Sequence, residues 1–423
     1  MKPESLNQLA DELEFSLWKD LIDPWFPACV DSRGGFWQVY DRQWKRKPSN
    51  VRGVVFQSRM TWVSATLASI PGARQEEFAQ NAIHGMRYLS DLFVEPLTGA
   101  VRWKVDKSDP PREAGALEGH AYGGSFALYA FAAVYRALGT AEALELAQRV
   151  FGWLETYVHD AAHGGYFECV SANGRPILTP PAKMASKTGD EISTPYGLKS
   201  QNTHLHLLEA FSELGKSWRD ALLLERLSEV KDILEDKLFD PAGFLQVYAK
   251  PDWTPVPDRV SYGHDIEAAH LLLDAGVTLV GAPRSKTQAR ALALVDNTLL
   301  YGFDRDHGGF YSNGTEGGRP LERSKNWWTQ SEALLGLAKA MDLSDAPVDE
   351  YLDALVATWA WIRDHQIDHE YGGWFELVRS DGSPVDPQDH KDRKGHMWKA
   401  AYHETRALVE TAKILRRHAN PAL

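Results

Sequence analysis

The sequence of 423 residues is poor in cysteine, with only Cys29 and Cys169, and it lacks long hydrophobic runs. One pair of cysteines can form a single bridge at most, so a disulfide framework is excluded. No segment approaches the roughly 18 apolar residues that a membrane-spanning helix needs. Residues 1–16 are charged and lack the apolar core of a secretion signal. These shortages predict a protein of the reducing cytoplasm with no membrane partner.

Positive charge is also scarce, and the formal net charge is −12. Nucleic-acid binding needs clustered lysine and arginine, whereas the one basic cluster, residues 42–52, is short and interrupted by Pro48. We therefore expect no nucleic-acid partner. Tryptophan, in contrast, is abundant, with fifteen residues. Because indole rings suit both sugar stacking and helix packing, composition alone leaves both uses open.

A turn pattern recurs along the chain: a glycine or glycine pair, then aromatic or apolar residues, usually with an acidic residue upstream. We call each copy a Gly-aromatic segment. The six segments are Gly34-Gly35-Phe36-Trp37, Gly99-Ala100-Val101, Gly164-Gly165-Tyr166-Phe167, Gly243-Phe244-Leu245, Gly308-Gly309-Phe310-Tyr311 and Gly372-Gly373-Trp374-Phe375. The upstream acidic residues are Asp31, Asp160, Asp240, Asp306 and Asp368. Successive first glycines lie 65, 65, 79, 65 and 64 residues apart. This regular spacing predicts six repeated units, numbered one to six.

Apolar residues at helical spacing predict two helices in each unit. The twelve predicted helices cover residues 6–20, 57–70, 76–93, 119–138, 141–158, 202–215, 217–236, 264–276, 285–300, 327–342, 347–365 and 397–416. The helix after each Gly-aromatic segment is rich in small and aromatic residues, whereas the helix before it is more charged. That asymmetry favours an inner ring and an outer ring. We therefore predict an all-α fold, a single-domain (α/α)6 barrel over residues 1–423, with short β-hairpins in the connecting loops.

Polar residues enter the otherwise apolar inner helices near their starts, in every unit. They are Arg59 and Trp62, then His120 and Tyr122, then Asn202, His204, His206 and Glu209, then His264, Asp265 and Glu267, then Trp327, Trp328, Gln330 and Glu332, then Trp398, His403 and Arg406. Because the inner helices of a closed barrel begin at the same mouth, these residues should converge on one cleft. Buried polar groups are costly unless they are partnered or functional.

Several of these residues also have a structural interpretation. His206 or His403 alone would more often be a core histidine, and we interpret His204 as structural because it points to another face. Trp327, Trp361 and Trp374 are interpreted as packing residues. Three further residues are open to two readings, as core ion pairs or as holders of the site: Glu209, Glu332 and Arg406.

Metal and nucleotide sites are disfavoured by spacing. His264 and Glu267 are three residues apart and His270 follows, but this is not the His-Glu-x-x-His pattern of a zinc site. The sequence also lacks a phosphate-binding loop and a dinucleotide-binding glycine motif. We therefore expect no metal and no cofactor.

The motifs around these polar residues resemble those of the N-acylglucosamine 2-epimerase family, which includes cellobiose and mannose 2-epimerases and mannose isomerases. The matching stretches are Gln57-Ser58-Arg59-Met60-Thr61-Trp62, residues 202–210, Gly263-His264-Asp265-Ile266-Glu267, residues 327–332 and residues 398–403. The resemblance implies an (α/α)6 barrel and metal-independent proton transfer at C2 of a sugar. It also implies that His264 and His403 are the acid/base pair, with Arg59, His206 and Glu267 as further catalytic residues. Implied sugar contacts are Asn202, Tyr122, Trp328 and Trp398.

The chemistry agrees with that resemblance. A proton next to a carbonyl can be removed only if the resulting enediolate is stabilised. Two imidazoles can take and return protons near neutral pH, while Arg59 and His206 can hold the developing oxyanion. Return of the proton to C2 from the opposite face gives epimerisation, and return to C1 gives aldose–ketose isomerisation.

The stretch Ala400-Ala401-Tyr402-His403-Glu404 departs from the Gly-Pro-Tyr-His-Asn pattern of cellobiose epimerases. Our first expectation is therefore a D-mannose/D-fructose isomerase that acts as a monomer or homodimer. The alternative is a 2-epimerase of the mannose/glucose, N-acetylglucosamine/N-acetylmannosamine or cellobiose type. Two weaker alternatives are a glycoside hydrolase, which would need two flanking carboxylates, and a non-catalytic sugar-binding protein.

Overall fold

The computed structural model describes residues 2–72, 74–106, 119–181, 188–343, 349–385 and 393–420. Twelve long α-helices lie in these ranges: α1 Pro3–Ser16, α2 Val54–Ala68, α3 Gln75–Leu92, α4 Ala121–Leu138, α5 Ala141–Trp153, α6 Gln201–Gly215, α7 Ala221–Asp232, α8 Tyr262–Val280, α9 Ser285–Tyr301, α10 Trp327–Leu343, α11 Asp349–Trp361 and α12 Tyr402–Ala419. The predicted number of helices is confirmed. Among these helices, none combines the length and the apolar character required to cross a membrane.

The even-numbered helices form an inner ring in chain order, and α12 closes the ring against α2. Each odd-numbered helix packs on the outside of an inner one. Inner helix α4 is buried without interruption from Ala121 to Val134. Outer helix α3 buries only one stripe, which includes Phe78, Ala82 and Met86 at helical spacing. This arrangement confirms the predicted (α/α)6 barrel.

Four outer helices continue into a π-helical turn, over Leu17–Ile22, Leu154–Val158, Ile233–Lys237 and Ile362–Gln366. These turns account for predicted helix ends that lie beyond the regular α-helices. The largest difference is at α12, which begins at Tyr402 and not at the predicted residue 397. The preceding residues form a loop in which the backbone N–H of Trp398 donates to His396 Nδ1 and not to a helical carbonyl.

Short strands link neighbouring units. They are β1 Val51–Gly53, β2 Lys104–Asp106, β3 Gly119–His120, β4 Cys169–Val170, β5 Lys199–Ser200, β6 Phe239–Asp240, β7 Phe244–Leu245, β8 Tyr248–Ala249, β9 Pro255–Val256, β10 Lys325–Asn326 and β11 Leu377–Val378. All pairings are antiparallel: β1–β2, β3–β4, β5–β8–β9, β6–β7 and β10–β11. Each Gly-aromatic segment closes a small hairpin, through the pairs Val30–Phe36, Val94–Val101, His159–Tyr166, Phe239–Leu245, Phe303–Phe310 and Ile367–Trp374. The predicted hairpins are therefore present in all six units.

The second glycine of a pair is required by both its backbone and its neighbours. Gly309 has a φ of +73°, and a Cβ atom there would lie 2.7 Å from Gln330 Oε1. That same oxygen accepts the N–H of Phe310 at 2.7 Å. In unit three, His204 Nε2 accepts the N–H of Tyr166 at 3.1 Å. The first turn of an inner helix therefore holds the hairpin before it, and His204 makes the contacts of a structural residue.

Buried ion pairs fasten the hairpins to the strands that precede the inner helices. Lys199 Nζ lies 2.8 Å from Asp160, and Lys394 Nζ lies 2.8 Å from Asp368. In unit five the residue equivalent to Asp160 and Asp368 is Asp304, which lies 2.8 Å from the ammonium group of Lys325, and not the upstream acidic residue noted in the sequence, Asp306. Asp306 instead donates its backbone N–H to the Asp304 carboxylate at 3.1 Å.

Candidate active site

The polar residues singled out in the sequence lie at or near the starts of the inner helices. Arg59 is on α2, Tyr122 on α4, Asn202 and His206 on α6, His264 and Glu267 on α8, Trp328 on α10 and His403 on α12, while Trp398 lies in the loop before α12. Side-chain and backbone contacts join eight of these nine residues into one network. The ninth, Asn202, lies one helical turn before His206.

His264 and His403 flank the same indole. Their ring centroids lie 4.9 Å and 5.9 Å from the Trp328 ring. The three side chains come from three consecutive inner helices, so closure of the ring brings them together. The structure therefore brings the rings of the two predicted acid/base histidines together against one indole.

The carboxylate of Glu332 orients the imidazole of His403. Its Nδ1 atom lies 2.5 Å from Glu332 Oε1, and the other Glu332 oxygen lies 2.7 Å from His270 Nε2. Since a carboxylate accepts, Nδ1 of His403 carries the donated proton. Nε2 is then the nitrogen that can exchange a proton with a bound molecule.

Both histidines are strongly affected by desolvation. Burial lowers the pKa of His264 to about 3, and the nearby His206 acts in the same direction. Burial also lowers the pKa of His403 to about 3, despite the opposing charge of Glu332. His264 Nδ1 lies 2.9 Å from the hydroxyl of Ser261. Both imidazoles are therefore neutral at pH 7, which is the form that acts as a base.

Arg406 forms the floor of the site, one turn after His403 on α12. Its guanidinium donates to Glu209, to Glu267 at 2.6 Å and to Glu332 at 2.7 Å. The sequence left Glu209, Glu332 and Arg406 open to two readings, as core ion pairs or as holders of the site. Both readings apply, because these residues form buried ion pairs and also hold the histidines. Glu332 holds His403, and Glu209 accepts from His206 Nδ1 at 3.0 Å.

The three carboxyl groups around Arg406 differ in proton affinity. Burial would raise the pKa of Glu209, but the Arg406 guanidinium and then His206 lower it to about 2. At Glu267, burial and then the charge of Glu332 raise the pKa to about 7. Glu267 is therefore the carboxyl of this cluster that can carry a proton near neutral pH.

Arg59 links the loop before α12 to helix α4. Its Nη1 atom donates to the carbonyl of Trp398 at 2.7 Å, and Nη2 lies 3.5 Å from the Tyr122 hydroxyl. The Tyr122 ring lies 5.0 Å from His206, with the two rings nearly perpendicular, and 6.3 Å from Trp398. A guanidinium, an imidazole and two aromatic faces thus meet at one side of the site, a combination that suits an oxygen-rich ligand.

Asn202 offers the amide group that the sequence predicted as a sugar contact. Its side chain is half-buried. Within the described ranges its Oδ1 atom has no hydrogen-bond partner. The side chain lies one turn from His206, so it is a candidate for direct contact with a ligand.

Two residues of this network, Tyr402 and His270, were not predicted from the sequence. The Tyr402 hydroxyl donates to Glu209, and the Arg59 guanidinium lies over the Tyr402 ring at 5.0 Å. His270 was considered only as a metal ligand, whereas it supports Glu332. A signal existed for each: Tyr402 is adjacent to His403, and His270 lies one turn after Glu267 on α8.

Two groups of side chains bring possible metal-ligand atoms within 4.8 Å of one another: Glu267, Glu332 and His403, and His120, Cys169 and Asp190. In the first group, the Arg406 guanidinium already contacts both carboxylates. In the second, His120 Nδ1 accepts the N–H of Tyr122, so its proton lies at Nε2, towards Asp190. These contacts favour hydrogen-bonded clusters over cation sites.

The pattern of the N-acylglucosamine 2-epimerase (GlcNAc 2-epimerase) family matches residues 34–401. The chain belongs to this family. The relatives described next are named as carbohydrate epimerases and isomerases.

A cellobiose 2-epimerase of Bacteroides fragilis is 28% identical over 405 residues, which cover 95% of this chain and 98% of the relative. The D-mannose isomerase of Marinomonas mediterranea is 23% identical over 414 residues, covering 92% and 94%. A solved structure of the cellobiose 2-epimerase from Spirochaeta thermophila is 30% identical, with a TM-score of 0.84 and coverage of 97% and 98%. The chain is thus similar over nearly its full length to sugar 2-epimerases and, at lower identity, to a sugar isomerase.

Proposed function

We propose that this chain is a sugar 2-epimerase that moves a proton at C2 of a free reducing sugar, with His264 and His403 as the acid/base pair and without a metal. The observation that carries the proposal is the position of both neutral imidazoles against one Trp328 ring. Two neutral imidazoles that lie against the same ring are close enough to act on a single sugar carbon unit. The family membership supports the same chemistry.

In this proposal the sugar ring opens first, and the carbonyl oxygen then faces Arg59 and His206. One neutral imidazole removes the C2 proton, while the guanidinium and His206 stabilise the enediolate oxygen. The other imidazole takes up a proton from solvent and delivers it to the opposite face of C2, while the first imidazole releases the abstracted proton to solvent. Tyr122, Trp398 and Asn202 contact the sugar, and Glu267 supplies a carboxyl group that can hold a proton near neutral pH.

Epimerisation replaces our first expectation, D-mannose/D-fructose isomerisation, as the main proposal. Relatives named cellobiose 2-epimerase match this chain at higher identity than the D-mannose isomerase does. Isomerisation stays the second candidate because residues 400–404 depart from the epimerase pattern. That departure also favours a small hexose, whereas the named relatives favour a disaccharide such as cellobiose.

The proposal is tested by incubating EDTA-treated protein in D2O with mannose, fructose, glucose, N-acetylmannosamine and cellobiose, followed by NMR. We expect deuterium at C2 and the C2 epimer as the first product. Fructose from mannose would support isomerisation instead. Monosaccharides released from cellobiose would indicate a hydrolase, and no change in any sugar would indicate a binding protein. Loss of turnover after EDTA, restored by a divalent cation, would contradict a metal-free reaction.

The matched variants are His403→Asn and His369→Asn. His369 is exposed and lies outside the network, where its Nε2 atom contacts the carbonyl of Arg363. We expect His403→Asn to abolish turnover with unchanged circular dichroism and His369→Asn to keep full activity. Near-full activity of His403→Asn would remove this residue from the mechanism.

We further propose that residues 1–423 act as one catalytic domain, because the inner ring closes only when α12 meets α2. A monomer or homodimer in a reducing cytoplasm stays our expectation, and the free thiols of Cys29 and Cys169 are compatible with it. Light scattering of the purified protein measures the oligomeric state.

A further inference from the structure

Two histidines outside the acid/base pair make the same unusual set of contacts. His120 Nδ1 accepts the N–H of Tyr122 at 3.1 Å, and His396 Nδ1 accepts the N–H of Trp398 at 3.2 Å. In both cases the imidazole of residue i accepts from the backbone of residue i+2. This is the hydrogen bond that an asparagine or aspartate makes in an Asx-turn.

The far nitrogen of each histidine is held by a carboxylate. His120 Nε2 lies 3.1 Å from Asp190, and His396 Nε2 lies 2.8 Å from Glu376. Because Nδ1 accepts a backbone N–H, the ring proton lies on Nε2, where it is donated to the carboxylate. Each carboxylate therefore selects the tautomer that can hold the backbone N–H.

The two held residues are those to which the Arg59 guanidinium donates hydrogen bonds in the described part of the chain. The guanidinium donates to the Trp398 carbonyl at 2.7 Å and lies 3.5 Å from the Tyr122 hydroxyl. Tyr122 is on α4 and Trp398 lies in the loop before α12, and these two helices are the neighbours of α2, the helix of Arg59, in the ring. The same device thus occurs on both sides of one guanidinium, in units two and six.

We infer that His120 and His396 are positioning residues that fix the peptides of Tyr122 and Trp398 and so set the place of the Arg59 guanidinium in the cleft. This inference rests on the proposed function, in which Arg59 stabilises an oxyanion. A displaced guanidinium would weaken that stabilisation in the transition state more than it would weaken ground-state binding. The carboxylates Asp190 and Glu376 act one step further out, through the tautomer.

Two substitutions at residue 396 test the roles of the two ring nitrogens separately. In His396→Asn, the side-chain oxygen takes the place of Nδ1 and can accept the Trp398 N–H, but the contact with Glu376 is lost. In His396→Gln, the amide takes the place of Nε2 and keeps Glu376, but the acceptor for Trp398 is lost. If only the contact with Glu376 mattered, His396→Gln would keep wild-type behaviour, whereas the inferred role predicts that His396→Asn keeps it.

The first measurement needs no substrate. Amide hydrogen exchange of Trp398 is followed by NMR in protein with 15N-labelled tryptophan, and its signal is assigned with Trp398→Phe. We expect exchange about tenfold faster in His396→Gln and within about twofold of wild type in His396→Asn, because the hydrogen bond protects the amide. Equal exchange in both variants, or faster exchange in Asn, would overturn the inference.

The second measurement is kinetic, with the sugar that the wild type converts. We expect kcat to fall about tenfold in His396→Gln with KM within about twofold, and His396→Asn to be rescued to near wild type. The control is His159→Gln, since His159 also pairs through Nε2 with a carboxylate, Glu229 at 3.1 Å, but lies outside the site. A change in exchange without a change in kcat would overturn the link to Arg59. Wild-type protein inactive on every sugar would defeat the proposed function, while the exchange result would still decide whether His396 fixes Trp398.

Discussion

The Nδ1 atom of His403 and a carboxylate oxygen of Glu332 lie 2.5 Å apart in the buried floor of the cleft. The same oxygen accepts from Arg406 at 2.7 Å. Glu332 therefore links an acid/base candidate to the one guanidinium that also contacts Glu209 and Glu267. The negative charge of Glu332 orients the imidazole of His403 and also contributes to the charge balance between Arg406 and its three carboxyl partners.

Glu332→Gln is expected to lower kcat by about 100-fold with little change in KM, because a neutral amide no longer stabilises the imidazolium that forms in the transition state. The measurement is steady-state kinetics with the converted sugar. Glu410→Gln is the control, since Glu410 pairs with Lys413 on the exposed side of α12. A Glu332→Gln enzyme within threefold of wild type would contradict a role for this contact.

The pH profile of kcat/KM should not show the decrease near pH 6.5 that protonation of an ordinary histidine would cause. Burial lowers the pKa of His264 and of His403 to about 3, and a base with a lowered pKa stays unprotonated as the pH falls. We therefore expect kcat/KM to hold between about pH 7 and pH 5.5, below the ordinary histidine pKa of about 6.5. A loss of activity centred near pH 6.5 would contradict neutral, desolvated imidazoles.

A decline in kcat/KM above neutral pH would come from Glu267 and not from the two histidines. The pKa of Glu267 is raised to about 7, by burial first and then by Glu332, so this carboxyl loses its proton as the pH rises. Glu267→Gln keeps a neutral side chain at every pH, and we expect it to remove such a decline. Persistence of the decline in Glu267→Gln would assign it to another group.

His204→Gln should make the protein less sensitive to acid. Burial lowers the folded-state pKa of His204 to about 3, whereas the unfolded residue titrates near 6.5. Below pH 6.5 the unfolded chain binds a proton that the folded protein excludes, so this contribution to stability is complete above pH 6.5 and is lost as the pH falls. At pH 5.5 the loss is about 1.4 kcal/mol.

Glutamine is the natural replacement, because Gln57 and Gln330 bond the same backbone positions in units one and five. Urea unfolding at pH 7.5 and pH 5.5 measures the effect. We expect the stability difference between the two pH values to be smaller in His204→Gln by about 1.4 kcal/mol. Equal differences in both proteins would show that His204 titrates in the folded state.

Two glycine substitutions should have opposite signs. Gly309→Ala is expected to destabilise by about 2 kcal/mol or more, because its φ is +73° and a Cβ would lie 2.7 Å from Gln330 Oε1. Gly152→Ala, exposed in α5 with open space at the Cβ position, should stabilise by about 0.5–1 kcal/mol. Thermal unfolding of both variants gives the comparison, and equal effects would contradict the strained backbone at Gly309.

The repeat could be predicted because local physics fixes it. Glycine pairs such as Gly308-Gly309 mark backbone that other residues avoid, and the inner and outer helices differ in apolar pattern. The loop at Trp398 could not be predicted, since its sequence is compatible with a helix and the contacts that hold it open come from His396 and from Arg59, far away in sequence. The partners of Arg406 lie far away in sequence and meet it only because the ring has a definite diameter.

Helix α1, the first helix of the chain, packs against α12, the last helix, and this contact stabilises the closed ring. Arg416 on α12 reaches Asp11 and Glu14 on α1, and the Trp359 indole donates to Glu12. A proteolytic cut after α1 would therefore strip the outer cover from the helix that carries His403 and Arg406. Proteolysis of the amino-terminal segment would therefore abolish activity, although every side chain in the cleft would keep its covalent structure.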